Sequence, residues 1–176
     1  MFRIKSKRII HIVDQEDLLV AKKNGQNKII LDNWMYANSV HIIDYLILFG
    51  RGKITKIEKI HKLEKESALY HCVKIHFSSG DFGIYECYWN CPAPWSVIIT
   101  TRKKRINFSP LEKLSIQTYP SRDLNQINLK NSESLFKSGL LNQAKNLIAL
   151  SKGRNHKLVS FKVYLNTVSL VKNIYE

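Results

Sequence analysis

The stretch YHCVKIHFSSGDFGIYECYW, residues 70–89, decides the fold class of this chain. Both of its ends alternate apolar and polar residues with a period of two, which is typical of half-buried β-strands. Between them, Ser78-Ser79-Gly80-Asp81 has the composition of a tight turn. The segment therefore predicts an antiparallel hairpin, with Val73, Ile75 and Phe77 on one face of the first strand.

Further strand-like runs lie on both sides of this hairpin. Apolar and β-branched residues predict strands at 8–13, 28–31, 54–60, 95–101, 106–108 and 114–119. Because most of these runs are joined by short, turn-like segments, we expect a mainly antiparallel sheet.

Helical periodicity appears near the start and at the end of the chain. Apolar residues recur at helical spacing over 39–49, where Asn38 or Ser39 would cap the start and Gly50 marks the end. Near the end, one amphipathic stripe runs over 136–148.

A last amphipathic helix follows Ser160, a good N-cap residue. Strands flanked by helices predict an α+β fold for residues 1–176 as a single domain: an open, mainly antiparallel sheet with helices packed on one face. We expect the other face to carry Tyr85, Tyr88 and Trp89 and to seek a partner.

The net charge is the unusual feature of the composition. Twenty-eight Lys and Arg residues against 14 Asp and Glu give +14, a balance that favours polyanionic partners. Residues 56–66 mix lysines with glutamates and are typical of a solvated surface, whereas Arg102-Lys103-Lys104-Arg105 is the one dense cluster. Because this cluster falls at a turn, solvent exposure is its simpler explanation, and nucleic acid is the least favoured partner.

The cysteines and the longest apolar run indicate the cellular compartment in which we expect the chain. An odd count, Cys72, Cys87 and Cys91, favours reduced thiols, and no spacing typical of a metal site is present. The apolar run at 39–49 is about half the length that spans a bilayer, and the basic N-terminus lacks the apolar segment of a secretory signal. We expect a cytoplasmic protein without bound metal.

The segment NSVHIIDYL, residues 38–46, resembles the helix with the His-x-x-Asp motif of the Gfo/Idh/MocA oxidoreductases, the relatives of glucose-fructose oxidoreductase and inositol dehydrogenase. Later segments follow that family's order across residues 28–175. They are the strand at 54–60, the turn SGDFG (79–83), similar to the family's F-x-x-G-x-x-G crossing, FSPLE (108–112), FKSGLLNQA (136–144), similar to its G-x-x-x-Q-x-x-x-F helix, and the helix after 158–160. The segment WMYANSVH (34–41) is also similar to members associated with surface-polysaccharide sugar pathways.

The resemblance implies a dihydrodipicolinate-reductase-like C-terminal domain that closes over the nicotinamide of NAD or NADP and positions a sugar. His41 would be the catalytic acid/base, because an imidazole exchanges protons near neutral pH. Asn38, Asp44 and Trp89 would bind the substrate, with Asp44 also anchoring the helix. The resemblance further implies a homo-oligomer formed through the sheet face.

Two departures from the family pattern limit this expectation. Ala37 occupies the position where the family often has an aspartate, four residues before His41. The chain also contains no Gly-x-Gly-x-x-Gly loop to cradle a pyrophosphate and no Glu-Lys-Pro motif, so no Rossmann domain is present. We therefore expect no cofactor on this chain alone and a truncated or split dehydrogenase that needs a separately encoded Rossmann-domain partner.

Two other functions stay open at this point. A non-enzymatic sugar- or protein-binding module would bind without a cofactor, and its affinity would depend on Tyr88 or Trp89. A nucleic-acid-binding domain would depend on residues 102–105 and would weaken steeply with salt.

Overall fold

The computed structural model describes residues 6–61, 70–128 and 139–176, and these ranges form one sheet with flanking helices. The strands are β1 (Ile9–Glu16), β2 (Ile54–His61), β3 (Tyr70–Phe77), β4 (Phe82–Trp89), β5 (Ser96–Thr100), β6 (Lys104–Phe108), β7 (Leu114–Thr118) and β8 (Asn125–Ile127). The helices are α1 (Leu18–Lys23), α2 (Lys28–Asp32), α3 (Val40–Phe49), α4 (Leu140–Ser151) and α5 (Phe161–Tyr175), and a π-helical turn, Met35–Ser39, leads directly into α3.

The strands are ordered β2-β3-β4-β1-β5-β6-β7-β8 in an open sheet. Only β1 and β4 run parallel; the other neighbouring pairs of the described strands are antiparallel. The predicted α+β class and the predicted hairpin are confirmed. The first strand, β1, lies at the centre of the sheet because β4 and β5 pair with its two edges.

The core lies between the sheet and α3 and α5. Every second residue of β1, β3 and β4 is buried on this covered face, including Ile12 and Val73, and α3 buries Ile43 and Leu46 against them. Gly83 of β4 permits the close approach, since a Cβ at this position would lie 2.6 Å from Leu46 Cδ2. Burial of this apolar stripe drives α3 onto the sheet.

The turn between β3 and β4 ties three elements together through the buried Asp81. Its carboxylate accepts hydrogen bonds from the backbone of Arg8, at the start of β1, at 2.8 Å. It also accepts from Nε and Nη2 of Arg51, just after α3, at 2.8 and 2.6 Å. The Arg51 guanidinium lowers the pKa of Asp81 to about 2, so this carboxylate remains charged through the neutral range.

The last helix is fixed at its C-terminal end. Ser160 caps its start, as predicted, by accepting a hydrogen bond from the backbone of Val163. At its end, His71 Nε2 lies 3.0 Å from the carbonyl oxygen of Ile174, and the ring of Tyr175 stacks on His71. By contrast, no residue of α4 is buried in the described part of the chain, and the start of the predicted stripe, at Phe136, lies outside that part.

Two expectations about local structure were wrong, and two elements were missed. Residues 28–32 form a short helix rather than a strand, because Asn27 caps it by accepting from the Ile29 backbone and Lys28 pairs with Asp32 one turn later. No side chain caps α3, because the preceding π-helical turn already supplies helical backbone there. The elements α1 and β8 were not predicted.

The aromatic residues expected on the uncovered face divide between the two faces. Tyr85 and Trp89 are buried on the helix-covered face, whereas Tyr88 points to the open face. Two of the three, Tyr85 and Trp89, therefore lie on the face opposite to the one expected. None of the helices in the described ranges combines the length and the apolar character that crossing a bilayer requires.

Candidate functional site

The exposed side of α3 carries the two residues of the His-x-x-Asp motif. His41 and Asp44 are exposed, while Ile42, Ile43 and Leu46 turn into the core. Because three residues make nearly one helical turn, both polar side chains project from the same side of the helix. The π-helical turn before Val40 widens the backbone at the start of this segment, a distortion that is frequent at functional sites.

Asp44 contributes to the packing of the two core helices. The hydroxyl of Thr167, on α5, donates a hydrogen bond to Asp44 Oδ1, and Thr167 is otherwise buried. This bond fixes the rotation of α3 against α5 and so fixes the direction in which His41 projects. The anchoring role of Asp44 stays a prediction, and this contact is the one through which Asp44 would act.

A buried glutamate lies beneath the start of the site. Glu16, the last residue of β1, is 1% exposed and receives three side-chain hydrogen bonds. Trp34 Nε1 and Asn38 Nδ2 donate to Oε2, the latter at 2.7 Å, and Ser39 Oγ donates to Oε1 at 2.9 Å. The two residues expected to cap α3 thus bind the end of the central strand instead.

The environment of Glu16 shifts its protonation equilibrium. Burial, followed by the nearby Asp14 carboxylate, raises the pKa of Glu16 to about 7. The hydrogen bonds from Asn38 and Trp34 act in the opposite direction and are outweighed. Glu16 is therefore a carboxyl group that can change its charge near neutral pH inside the fold.

The position of Glu16 determines how Asn38 presents its amide. A carboxylate oxygen accepts hydrogen bonds, so the amide nitrogen of Asn38 must be the atom that faces Glu16. The amide oxygen is left on the other side of this half-buried residue. Asn38 can therefore offer an acceptor to a hydroxyl group near the start of α3.

A second buried carboxylate lies two residues earlier on the same strand face. Asp14 accepts hydrogen bonds from Tyr85 Oη and Trp95 Nε1, each at 2.7 Å. Tyr85 Oη in turn lies 2.6 Å from Tyr175 Oη, so the network reaches the last turn of α5. These contacts satisfy the buried Asp14 carboxylate two residues before Glu16, which holds Asn38.

Trp89 does not belong to this surface. It is 4% exposed and packs edge-on against Tyr175 in the core. Its indole N–H has no hydrogen-bond partner among the described residues. The expected role of Trp89 in binding substrate does not fit this position, since its ring is not open to stack on a sugar.

Sequence reasoning missed Glu16 and Asp14, although a signal for them was present. Residues 10, 12, 14 and 16 of β1 share one face by their period of two, and the last two are acidic. Carboxylates on the core face of a strand are costly to bury unless they are hydrogen-bonded. This pattern predicts partners above the strand, which the structure identifies as Trp34, Asn38 and Ser39.

No protein-family model matches the sequence, and no curated protein matches it. Solved structures do match. UDP-N-acetylglucosamine 3-dehydrogenase from Acidithiobacillus ferrooxidans matches with a TM-score of 0.71 at 10% identity, over 98% of this chain and 54% of its own. A dehydrogenase from Chromobacterium violaceum has a TM-score of 0.70 at 15% identity, over 97% and 52%.

Levoglucosan dehydrogenase in complex with NADH has a TM-score of 0.66 at 12% identity, over 97% of this chain and 55% of its own. This chain therefore spans about half the length of the structures that it matches. At these identities the likeness concerns the fold. The chain has the fold of the C-terminal domain of Gfo/Idh/MocA-type oxidoreductases.

Proposed function

We propose that this chain is the substrate-binding half of an NAD(P)-dependent sugar dehydrogenase. The observation that carries the proposal is the exposed pair His41 and Asp44 on α3, in a fold shared with one half of several dehydrogenases. A nucleotide sugar is the substrate class we favour, because one of the similar structures is a UDP-N-acetylglucosamine 3-dehydrogenase.

In this proposal His41 accepts the proton of a sugar hydroxyl while the carbon that bears this hydroxyl is oxidised. Asn38 accepts a hydrogen bond from a neighbouring hydroxyl through its amide oxygen, because Glu16 holds its amide nitrogen. Asp44 keeps α3 in place through Thr167. The roles given to Asn38 and Asp44 rest on these contacts, and the role given to His41 rests on its exposed position on α3.

The hydride acceptor must come from a second domain. The 176 residues contain no Gly-x-Gly-x-x-Gly loop that would place backbone amides around a pyrophosphate, so the chain does not fit a dinucleotide by itself. We propose a dinucleotide-binding domain as the partner, which would form the other wall of the sugar site.

A reconstitution experiment tests the proposal. The purified chain is mixed with a candidate dinucleotide-binding protein encoded beside it, and nicotinamide reduction is followed with nucleotide sugars and free sugars. We expect turnover only in the mixture. His41→Asn should lower kcat by about 100-fold or more, the usual scale for loss of an acid/base group. His156→Asn, at an exposed histidine after α4, is the matched control and should leave kcat unchanged.

The outcomes separate the proposal from its alternative. If the mixture reduces no nicotinamide with any sugar, the dehydrogenase proposal fails. Saturation-transfer NMR on the chain alone then distinguishes a sugar-binding module from a domain without sugar affinity.

A further inference from the structure

A concave pocket of about 210 Å³ lies at the turn between β5 and β6. Nine residues form its wall; four are the consecutive cations Arg102 to Arg105, and the other five are neutral residues with polar side chains. No carboxylate lines it. A wall of this composition offers many hydrogen-bond donors and a concentrated positive charge.

This pocket is far from the His41 site. Thr100, in its wall, pairs with Ile9 at the start of β1, whereas Glu16 is at the other end of that strand. Seven residues of extended chain separate the two ends by about 23 Å. The pocket is therefore distinct from the proposed sugar site.

The strand register arranges three of the wall residues in a row. Arg105 pairs with Thr100 on β5 and with Gln117 on β7. Directly paired residues point to the same face of a sheet, and Ile99, next to Thr100, is buried on the opposite face. The Arg105 guanidinium is thus flanked by a hydroxyl and an amide on the open face.

The turn that carries the other cations is held by its own hydrogen bonds. The hydroxyl of Thr101 donates to the Lys104 carbonyl and accepts from the Lys104 amide, both at 3.0 Å. The Tyr119 amide donates to the Lys103 carbonyl at 2.9 Å and ties the turn to the end of β7. The cationic side chains therefore project from a backbone that is already ordered.

The charges of this cluster are uncompensated in the described part of the chain. Elsewhere, three lysines pair with nearby carboxylates, Lys28 with Asp32, Lys56 with Glu58 and Lys172 with Glu176, whereas others, such as Lys22 and Lys23, have no ion pair among the described residues. None of the four turn cations has such a pair among the described residues. The neighbouring Asp123 accepts a hydrogen bond from Ser121 and is not part of the wall.

Four adjacent cations without carboxylate partners repel one another, and a bound anion would relieve this repulsion. The guanidinium groups match the geometry of phosphate oxygens. We propose that this pocket binds a small phosphate-bearing anion, such as a diphosphate group. A water molecule occupies about 30 Å³ in the liquid, so the pocket has room for about seven waters, enough for one or two phosphate groups.

A nucleic acid fits this surface less well. Binding to its backbone requires a basic stripe that contacts successive phosphates. Here four consecutive cations line one pocket on one turn.

Calorimetric titration of the purified chain with pyrophosphate tests the proposal, with KCl added to keep the ionic strength constant. Inorganic phosphate and a single-stranded DNA oligonucleotide are titrated in parallel. The test variant is Arg102→Gln/Arg105→Gln, and the matched control is Lys22→Gln/Lys23→Gln, which removes two charges from exposed positions on α1. Amide NMR shifts of residues 100–105, 117–119 and 121 on the wild-type chain locate the ligand independently of the variants.

We expect one pyrophosphate per chain, shifts confined to these residues, and an affinity at least about tenfold lower in the test variant only. Equal weakening in both variants would assign the binding to the general field of the protein and overturn the proposal. Absence of pyrophosphate binding by the wild-type chain would also overturn it. So would tighter binding of the oligonucleotide with the same dependence on Arg102 and Arg105, since this would indicate a nucleic-acid surface.

Discussion

Replacing Glu16 by glutamine tests whether a carboxyl group buried beneath α3 changes its charge near neutral pH. Burial and the Asp14 carboxylate raise the pKa of Glu16 from 4.5 to about 7. The folded chain therefore holds a proton on Glu16 over a range in which the unfolded chain has already lost it. Whenever the folded state binds more protons, the free energy of unfolding falls as the pH rises.

The size of this effect follows from the two pKa values. The stabilisation is fully present below pH 4.5 and is lost as the pH rises through 7. Between pH 5 and pH 8 this corresponds to about 2.5 kcal/mol in the free energy of unfolding. A glutamine cannot ionise, so Glu16→Gln should lose this dependence and gain stability relative to the wild-type chain by about that amount from pH 5 to pH 8.

The measurement is urea unfolding of both chains at several pH values from 5 to 8. The difference between them is the diagnostic quantity, because burial lowers the pKa of His71 and makes stability fall in acid, the opposite direction. Glu112→Gln, at an exposed glutamate between β6 and β7, controls for the loss of a negative charge. If the stability difference between Glu16→Gln and the wild-type chain does not vary with pH, the reasoning about the buried carboxyl is refuted.

Four other changes have defined outcomes. Trp89→Ala should lower the free energy of unfolding by about 3–5 kcal/mol, as measured by chemical denaturation. Trp89→Phe should lower it much less, because this change also removes a buried N–H that has no partner among the described residues. Gly83→Ala should lower the free energy of unfolding by about 1–3 kcal/mol, because the new Cβ would contact Leu46. A melting temperature equal to or above that of the wild-type chain would contradict this. Asp81→Asn should cost about 2 kcal/mol in the free energy of unfolding at pH 7. The cost should be much smaller at pH 2, where the wild-type carboxyl is about half protonated, and urea unfolding at the two pH values measures the difference. If the open sheet face forms a homo-oligomer, light scattering should show a lower mass for Ile98→Lys, and a monomeric wild-type chain would exclude the oligomer.

The sheet was predictable because its signal is local. The period-two alternation of β3 and β4 and the turn at Gly80 specify a hairpin within twenty residues, and the structure has the same hairpin. The parallel pairing of β1 with β4 was not predictable in this way, because it joins segments more than seventy residues apart. Such pairings depend on which apolar faces meet in the core, which no single segment encodes.

Short helices and face assignments were the weak points for a related reason. The segment KIIL (28–31) has the residue types of a strand, but Asn27 before it and Asp32 after it supply a cap and an ion pair that stabilise a helix. In β4, all the odd-numbered positions from 83 to 89 are buried. The alternation indicates two faces, but the strand alone does not indicate which face meets the helices.

The candidate site joins what the sequence specifies locally with what only the fold specifies. The spacing of His41 and Asp44 places them on one side of a helix, and this follows from helical geometry alone. The direction of that side depends on two long-range contacts, Thr167 with Asp44 and Glu16 with Asn38. In each contact one partner, Thr167 or Glu16, is buried, and leaving its polar atoms without a partner would be costly, so both contacts favour this orientation of α3 together with its buried apolar side chains. The same hydrogen bonds that stabilise the core therefore also set the direction in which His41 meets a substrate.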